Sequence, residues 1–158
     1  MAIATGTVSI NPAFLQEIKD DHHELRQLLH HTAAMLNRPT WMQTEYDRLV
    51  ELFTKLRDQL AMHFSLEEAY GYFEDAISVA PHLSKRAEAL RSQHFDLYSQ
   101  LCSLAERAEQ LLYHEAPKIA LAGLAQDFHG FSAGLQEHES CESDLILHAF
   151  HDDLGAGD

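Results

Sequence analysis

From residue 12 to about residue 150, apolar residues recur three and four apart, and no stretch alternates apolar and polar as a strand would. In a chain with only 4 prolines and 7 glycines, that rhythm predicts helices throughout. Asn11 as N-cap and Pro12 at the first helical position open a first helix, which ends near Leu36 before Asn37, Arg38 and Pro39. The second runs from about Thr40, with Gln43 completing a capping box, to about Ala76. Pro81 opens a third that lasts to about Tyr113, and Pro117 opens a fourth that fades near Phe150. Met1–Ile10 and Asp152–Asp158 lack periodicity and are expected to fray. Four long helices with short connections predict an all-α fold, an antiparallel up-down-up-down four-helix bundle, as a single domain over residues 1–158 with its core at about 12–150.

Gly123, Gly130 and Gly134 lie inside the fourth helix at roughly 1 kcal/mol each relative to alanine, which the apolar spacing outweighs. Gly130 to Gly134 also spells the GxSxG pattern of a nucleophile elbow. That motif needs a strand entering a sharp turn, and none is predicted, so Ser132 is not expected to be a nucleophile.

Acidic residues outnumber Lys and Arg by 25 to 11, a formal charge of −14, which repels phosphate backbones and anionic lipid at long range. Neither nucleic acid nor a membrane is an expected partner. No window approaches the roughly 18 apolar residues of a membrane span, and Met1–Pro12 lacks the features of an export signal, so the expected location is cytoplasmic. Cys102 and Cys141 are too few for a disulfide framework and lack CxxC spacing; Cys141 is expected to be a small buried thiol. The unusual feature is 12 histidines spread along the chain.

Following the three-and-four rhythm places inward positions on each helix. The first helix gives Ile18, His22, Leu25, Leu29, Thr32 and Leu36, and the second gives Leu49, Phe53, Leu56, Leu60, His63, Glu67 and Tyr70. The third gives Leu83, Ala87, Leu90, His94, Leu97, Leu101 and Leu104, and the fourth gives Leu124, Phe128, Phe131, Leu135, His138, Glu142 and Leu145. His22 and His94 interrupt their seams at a positions. His63 and His138 do so at d, each followed one turn later by a glutamate. The separations, 41 residues from His22 to His63 and 44 from His94 to His138, make the two hairpins resemble each other.

Helical rise tests whether these groups share one level. His63 and His94 each lie about 13 residues from the turn between their helices, and His94 and His138 about 20 from theirs. His22 and His63 lie about 15 and 22 residues from the first turn, a mismatch that an irregular start to the second helix would absorb.

Four imidazoles and two carboxylates in one buried layer are costly unless something compensates. A hydrogen-bonded His–Glu network would compensate but does not require the repeated His-x-x-x-Glu spacing, for which a metal site gives a chemical reason. Residues four apart share a helix face, so His63 with Glu67, and His138 with Glu142, can each present a nitrogen and an oxygen to one centre. Nitrogen and oxygen donors without thiolate suit iron or manganese and are compatible with zinc. Six donors exceed the needs of one ion, so two iron ions are expected, bridged by Glu67 and Glu142, with positions left for water, hydroxide or dioxygen.

These residues resemble the hemerythrin-like family, the HHE cation-binding domains, over about residues 12–150. The resemblance rests on Asp21-His22 followed by Leu25, on His63-Phe-Ser-Leu-Glu67, on His94 and on His138-Glu-Ser-Cys-Glu142. It implies a non-haem di-iron centre with His22, His63, His94 and His138 as terminal ligands and Glu67 and Glu142 as bridges. Oxygen-carrying members have a second histidine four residues before the one matched by His94, where this chain has Leu90. They usually place an aspartate five residues after the fourth-helix histidine, where it has Ser143. The resemblance is therefore to a four-histidine, two-glutamate branch that includes proteins implicated in iron–sulfur cluster repair and iron-responsive regulatory domains. Ferritin-like bundles differ, using Glu-x-x-His with histidine last.

His23, His30, His31, His82, His114, His129, His148 and His151 fall off the seams or in loops and are expected in solvent, as is Glu74. Tyr70, Tyr72, Phe73, Phe128 and Phe131 are read as core packing. No substrate pocket lining, nucleophile or general acid is evident, which favours a binding module that senses or sequesters iron, dioxygen or nitric oxide over an enzyme. The alternative is a di-iron redox enzyme or iron–sulfur cluster repair factor; a third reading is a structural bundle with adventitious metal.

Overall fold

A computed structural model describes residues 12–38, 43–69, 77–78, 80–113 and 118–155. Four long helices account for most of them: α1 (Pro12–Leu36), α2 (Gln43–Ala69), α3 (Ser84–Tyr113) and α4 (Lys118–Gly155). No strand occurs among the described residues. α1 packs on α2, α2 on α3 and α3 on α4, and α4 returns to α1 with a smaller contact, so the four helices enclose a common core.

The predicted seams are the buried faces. Every seam residue from Leu83 to Leu104 and from Leu124 to Leu145 is buried. On α2 the same holds from Leu49 to Glu67, and Tyr70 lies outside the described residues. α1 is looser, with Leu25, Thr32 and Leu36 buried and Leu29 half-buried. Thr32 tolerates full burial because its hydroxyl donates to the Leu28 carbonyl at 2.7 Å.

The apolar residues form two clusters of unequal size. The larger draws on all four helices and is centred on Leu56, Leu60, Leu101, Leu135 and the edge-to-face pair Phe53–Phe128, whose ring centroids lie 5.7 Å apart. Each such side chain contributes about 1.5–3 kcal/mol through burial. The smaller joins Ala80, Leu83, Ala87 and Leu90 to Leu145 and Ala149. His94, His138 and Glu142 stand between them, one turn from Leu90 and Leu145 on one side and from Leu97 and Leu135 on the other.

Several boundaries differ from expectation. Pro81 opens a 3-10 turn, Pro81–Leu83, closed by Leu83 N–H donating to the Ala80 carbonyl at 2.9 Å, and the α-helix begins at Ser84. α4 continues to Gly155, beyond the expected fade at Phe150, so Asp152–Gly155 is helical rather than frayed. Ala149, buried in the smaller cluster, holds that end of α4 against the bundle. The caps proposed at Asn11 and Thr40, the end of the second helix at Ala76, the position of Glu74 and the aromatics Tyr70, Tyr72 and Phe73 all fall outside the described residues. α4 passes unbroken through all three glycines, and Ser132 sits within it without a strand or elbow. A Cβ at Gly130 or Gly134 would meet nothing within 4 Å.

Candidate metal centre

α2 carries His63 and Glu67 on one face a turn apart, α4 carries His138 and Glu142 in the same way, and α3 adds His94 between them. All five are only 3–4% exposed. α1 brings His22 to the same layer, its ring 6.0 Å from that of His63, although its side chain remains about one-third exposed. The mismatch expected between the first two helices thus does not keep His22 from the layer, and α2 is helical from Gln43.

The donor atoms gather in two groups. One comprises Glu67, His94, His138 and Glu142, the other His22, His63 and Glu139. Glu67 connects them, with Oε1 2.8 Å from His63 Nε2 and Oε2 3.2 Å from His94 Nε2. Glu142 faces the first group alone, its Oε1 lying 2.6 Å from His138 Nε2 and 3.1 Å from His94 Nε2. Glu139 Oε1 lies 3.4 Å from both His22 Nδ1 and His63 Nε2.

Four atoms of this layer, His63 Nε2, Glu67 Oε2, His138 Nε2 and Glu139 Oε1, are buried without a hydrogen-bond partner. His94 Nε2 and Glu142 Oε1 do pair, at 3.1 Å, but the nitrogens and carboxylate oxygens left over beside them are what a cation would satisfy. The outer faces of the rings tell the same story. His63 Nδ1 donates to Asp21 Oδ2 at 2.6 Å, His94 Nδ1 to Glu68 Oε1 at 3.1 Å and His138 Nδ1 to Gln93 Oε1 at 2.8 Å. Since ionised carboxylates and amide oxygens only accept, each outer nitrogen carries the proton, and in the neutral ring Nε2 turns its lone pair inward. Asp21 is itself fixed by Gln59, whose Nε2 donates to Oδ1 at 2.6 Å. Phe64 stacks on the His94 ring, centroids 4.0 Å apart and planes 10° from parallel.

The acidity of the layer follows from its crowding. Burial pulls the His63 imidazolium towards neutrality, but Asp21, Glu67 and Glu139 together outweigh it and lift its pKa from 6.5 to about 10. His94 is likewise opposed by burial and raised to about 9 by Glu142, Glu67 and Glu68. Burial pushes Glu67 the other way, yet His63 and His94 hold it below the usual carboxylate range. Without a cation, protons on His63 and His94 offset part of the carboxylate charge.

All six residues singled out from the sequence therefore meet in one layer. Two that join it were missed, Asp21 and Glu139, each adjacent in sequence to a seam histidine. Of the remaining histidines, His23, His30, His31, His82, His129, His148 and His151 are exposed, and His114 lies outside the described residues. Cys141 corrects its expectation: it is exposed, because it flanks Glu142 on the outer side of α4.

Fold and layer define a helical bundle whose buried histidine and glutamate groups could hold a metal ion. The hemerythrin HHE cation binding domain matches residues 13–150, and the chain belongs to that family. No curated protein and no solved structure matches it.

Proposed function

We propose that this single domain holds two iron ions at a carboxylate-bridged centre and binds or senses a small ligand such as dioxygen or nitric oxide, or iron itself. The observation that carries the reading is Glu67, whose two oxygens address histidines of two separate donor groups, as a carboxylate shared by two cations would. His22, His63, His94 and His138 would be nitrogen ligands, with manganese or zinc as substitutes. When bound, iron supplies reversible redox change and exchangeable coordination positions. The protein's share is to fix the ring tautomers through Asp21, Glu68 and Gln93, to keep the Glu142 side dry between two apolar clusters, and to leave His22 partly open to solvent.

An antiparallel up-down-up-down helix order belongs to the same reading. Asp21 meets His63 near one end of the α1–α2 pair while Arg38 meets Glu45 near the other, as antiparallel neighbours do. No described helix is long and apolar enough to cross a membrane, consistent with a cytoplasmic role. Iron analysis of chain purified without added metal tests the proposal, with two ions expected; fewer than one per chain, with no gain on anaerobic ferrous loading, would refute it. Changes in the near-ultraviolet spectrum on adding dioxygen or nitric oxide, without turnover of peroxide or nitric oxide, would favour a sensor over the redox or repair alternative.

A further inference from the structure

We propose that Glu139 is the private carboxylate of the cation position formed by His22 and His63, that Glu142 belongs only to the His94/His138 position, and that Glu67 alone is shared. This rests on the two-cation reading above and changes its ligand set.

Consecutive residues on a helix point about 100° apart, so His138 and Glu139 address different neighbours of α4. His138 turns towards α3, its ring centroid 5.0 Å from that of His94. Glu139 turns towards α1 and α2, with the same Oε1 3.4 Å from His22 Nδ1 and from His63 Nε2. That oxygen is buried without a hydrogen-bond partner although its side chain is 15% exposed, so water does not compensate it. Glu142 Oε1, by contrast, lies against the nitrogens of His94 and His138, and its carboxylate also pairs with Glu67.

Without Glu139 the two positions are unequal, one having His94, His138, Glu142 and Glu67, the other only His22, His63 and Glu67. With it, each has two imidazoles, one carboxylate of its own and a share of Glu67. A third carboxylate also lowers the net positive charge that two cations would leave in a layer largely shielded from water. The positions still differ. Glu142 is buried, whereas Glu139 and His22 are partly exposed, so the His22 side is where a small ligand enters and a cation exchanges.

The test is anaerobic ferrous iron titration of metal-free chain, comparing wild type with Glu139→Gln, Glu142→Ala and the double variant, with helical content and melting checked for each. Wild type is expected to take up two ions. Glu139→Gln should keep one tight ion and bind the second roughly tenfold or more weakly, Glu142→Ala should lose the other, and the double variant should bind neither tightly. Glu139→Gln binding both ions with wild-type affinity overturns the inference. So does a folded Glu139→Gln that loses both, or a double variant that keeps one tight ion, because the two carboxylates would then not serve separate positions. A wild-type chain that binds no iron sinks the two-cation reading itself, which that arm reports separately.

Discussion

Replacing Asp21 by alanine removes the acceptor that holds His63 Nδ1 at 2.6 Å and leaves that ring free to rotate or change tautomer. Loss of such an outer partner weakens metal binding by about 10- to 100-fold, or about 1.4–2.7 kcal/mol. Asp21 also acts in the opposite sense, being the first of the groups that raise the His63 pKa to about 10 against burial. At neutral pH a cation must displace that proton, and removing Asp21 makes the displacement easier. The affinity loss in Asp21→Ala should therefore be partly masked at pH 7 and fully expressed near pH 10, where His63 is losing its proton in both proteins. Zinc, a redox-silent probe, titrated against a chromophoric chelator at pH 7 and pH 9.5 measures this. Equal affinities for wild type and variant at pH 9.5, with both folded, would refute the claim that Asp21 positions the ligand.

Cation loading should release protons, since His63 at about 10 and His94 at about 9 are both protonated at pH 7.5 in the metal-free chain. A pH-stat should record more than one proton per chain, falling by more than half as loading is repeated at rising pH up to 10; no release at pH 7.5 would contradict the protonation of His63 and His94. The same shifts set the stability of the metal-free chain. The stabilisation from protonated His63 and His94 is complete below pH 6.5 and lost as pH rises through 9 to 10, so the denaturant midpoint should fall over that range. Phe64→Ala removes a buried ring stacked on His94 and should cost about 3–5 kcal/mol in equilibrium unfolding; under 1 kcal/mol would mean the stack carries little. Gly130→Ala and Gly134→Ala, where an added Cβ meets open space, should each stabilise by about 0.5–1 kcal/mol, read as a rise in Tm.

The helical rhythm made the core legible because one inward residue per turn is what a bundle buries, and from Leu83 to Leu145 no α3 or α4 seam assignment among the described residues is displaced. The candidate site was legible for the same reason: its six expected members all occupy seam positions. Asp21 and Glu139 escaped because each sits one residue off the seam, where burial depends on the neighbouring helix. Asp21 and Cys141 both immediately precede an a-position residue, yet Asp21 is buried against His63 and Cys141 is exposed. Spacing along one helix cannot distinguish them. What could have drawn attention to Asp21 and Glu139 is chemistry: a carboxylate adjacent to a seam histidine has the reach to serve a neighbouring helix.

Because the larger apolar cluster is separate from the polar layer, folding and metal binding separate in energy. The larger cluster joins all four helices through Leu25, Leu56, Leu101 and Leu135 without using any donor of the layer. It provides a core that forms whether or not a cation is present, while protons on His63 and His94 offset part of the carboxylate charge in the metal-free state. The chain should therefore differ from small domains whose folding requires their metal. Metal-free protein at pH 6 should show full helical circular dichroism and cooperative melting. A cation should raise Tm according to its concentration relative to its Kd, by about 2.7 kcal/mol of added stability at 100 times Kd for each independent ion. A metal-free chain that is unfolded or molten at pH 6 would show that the layer, rather than the larger cluster, organises the bundle.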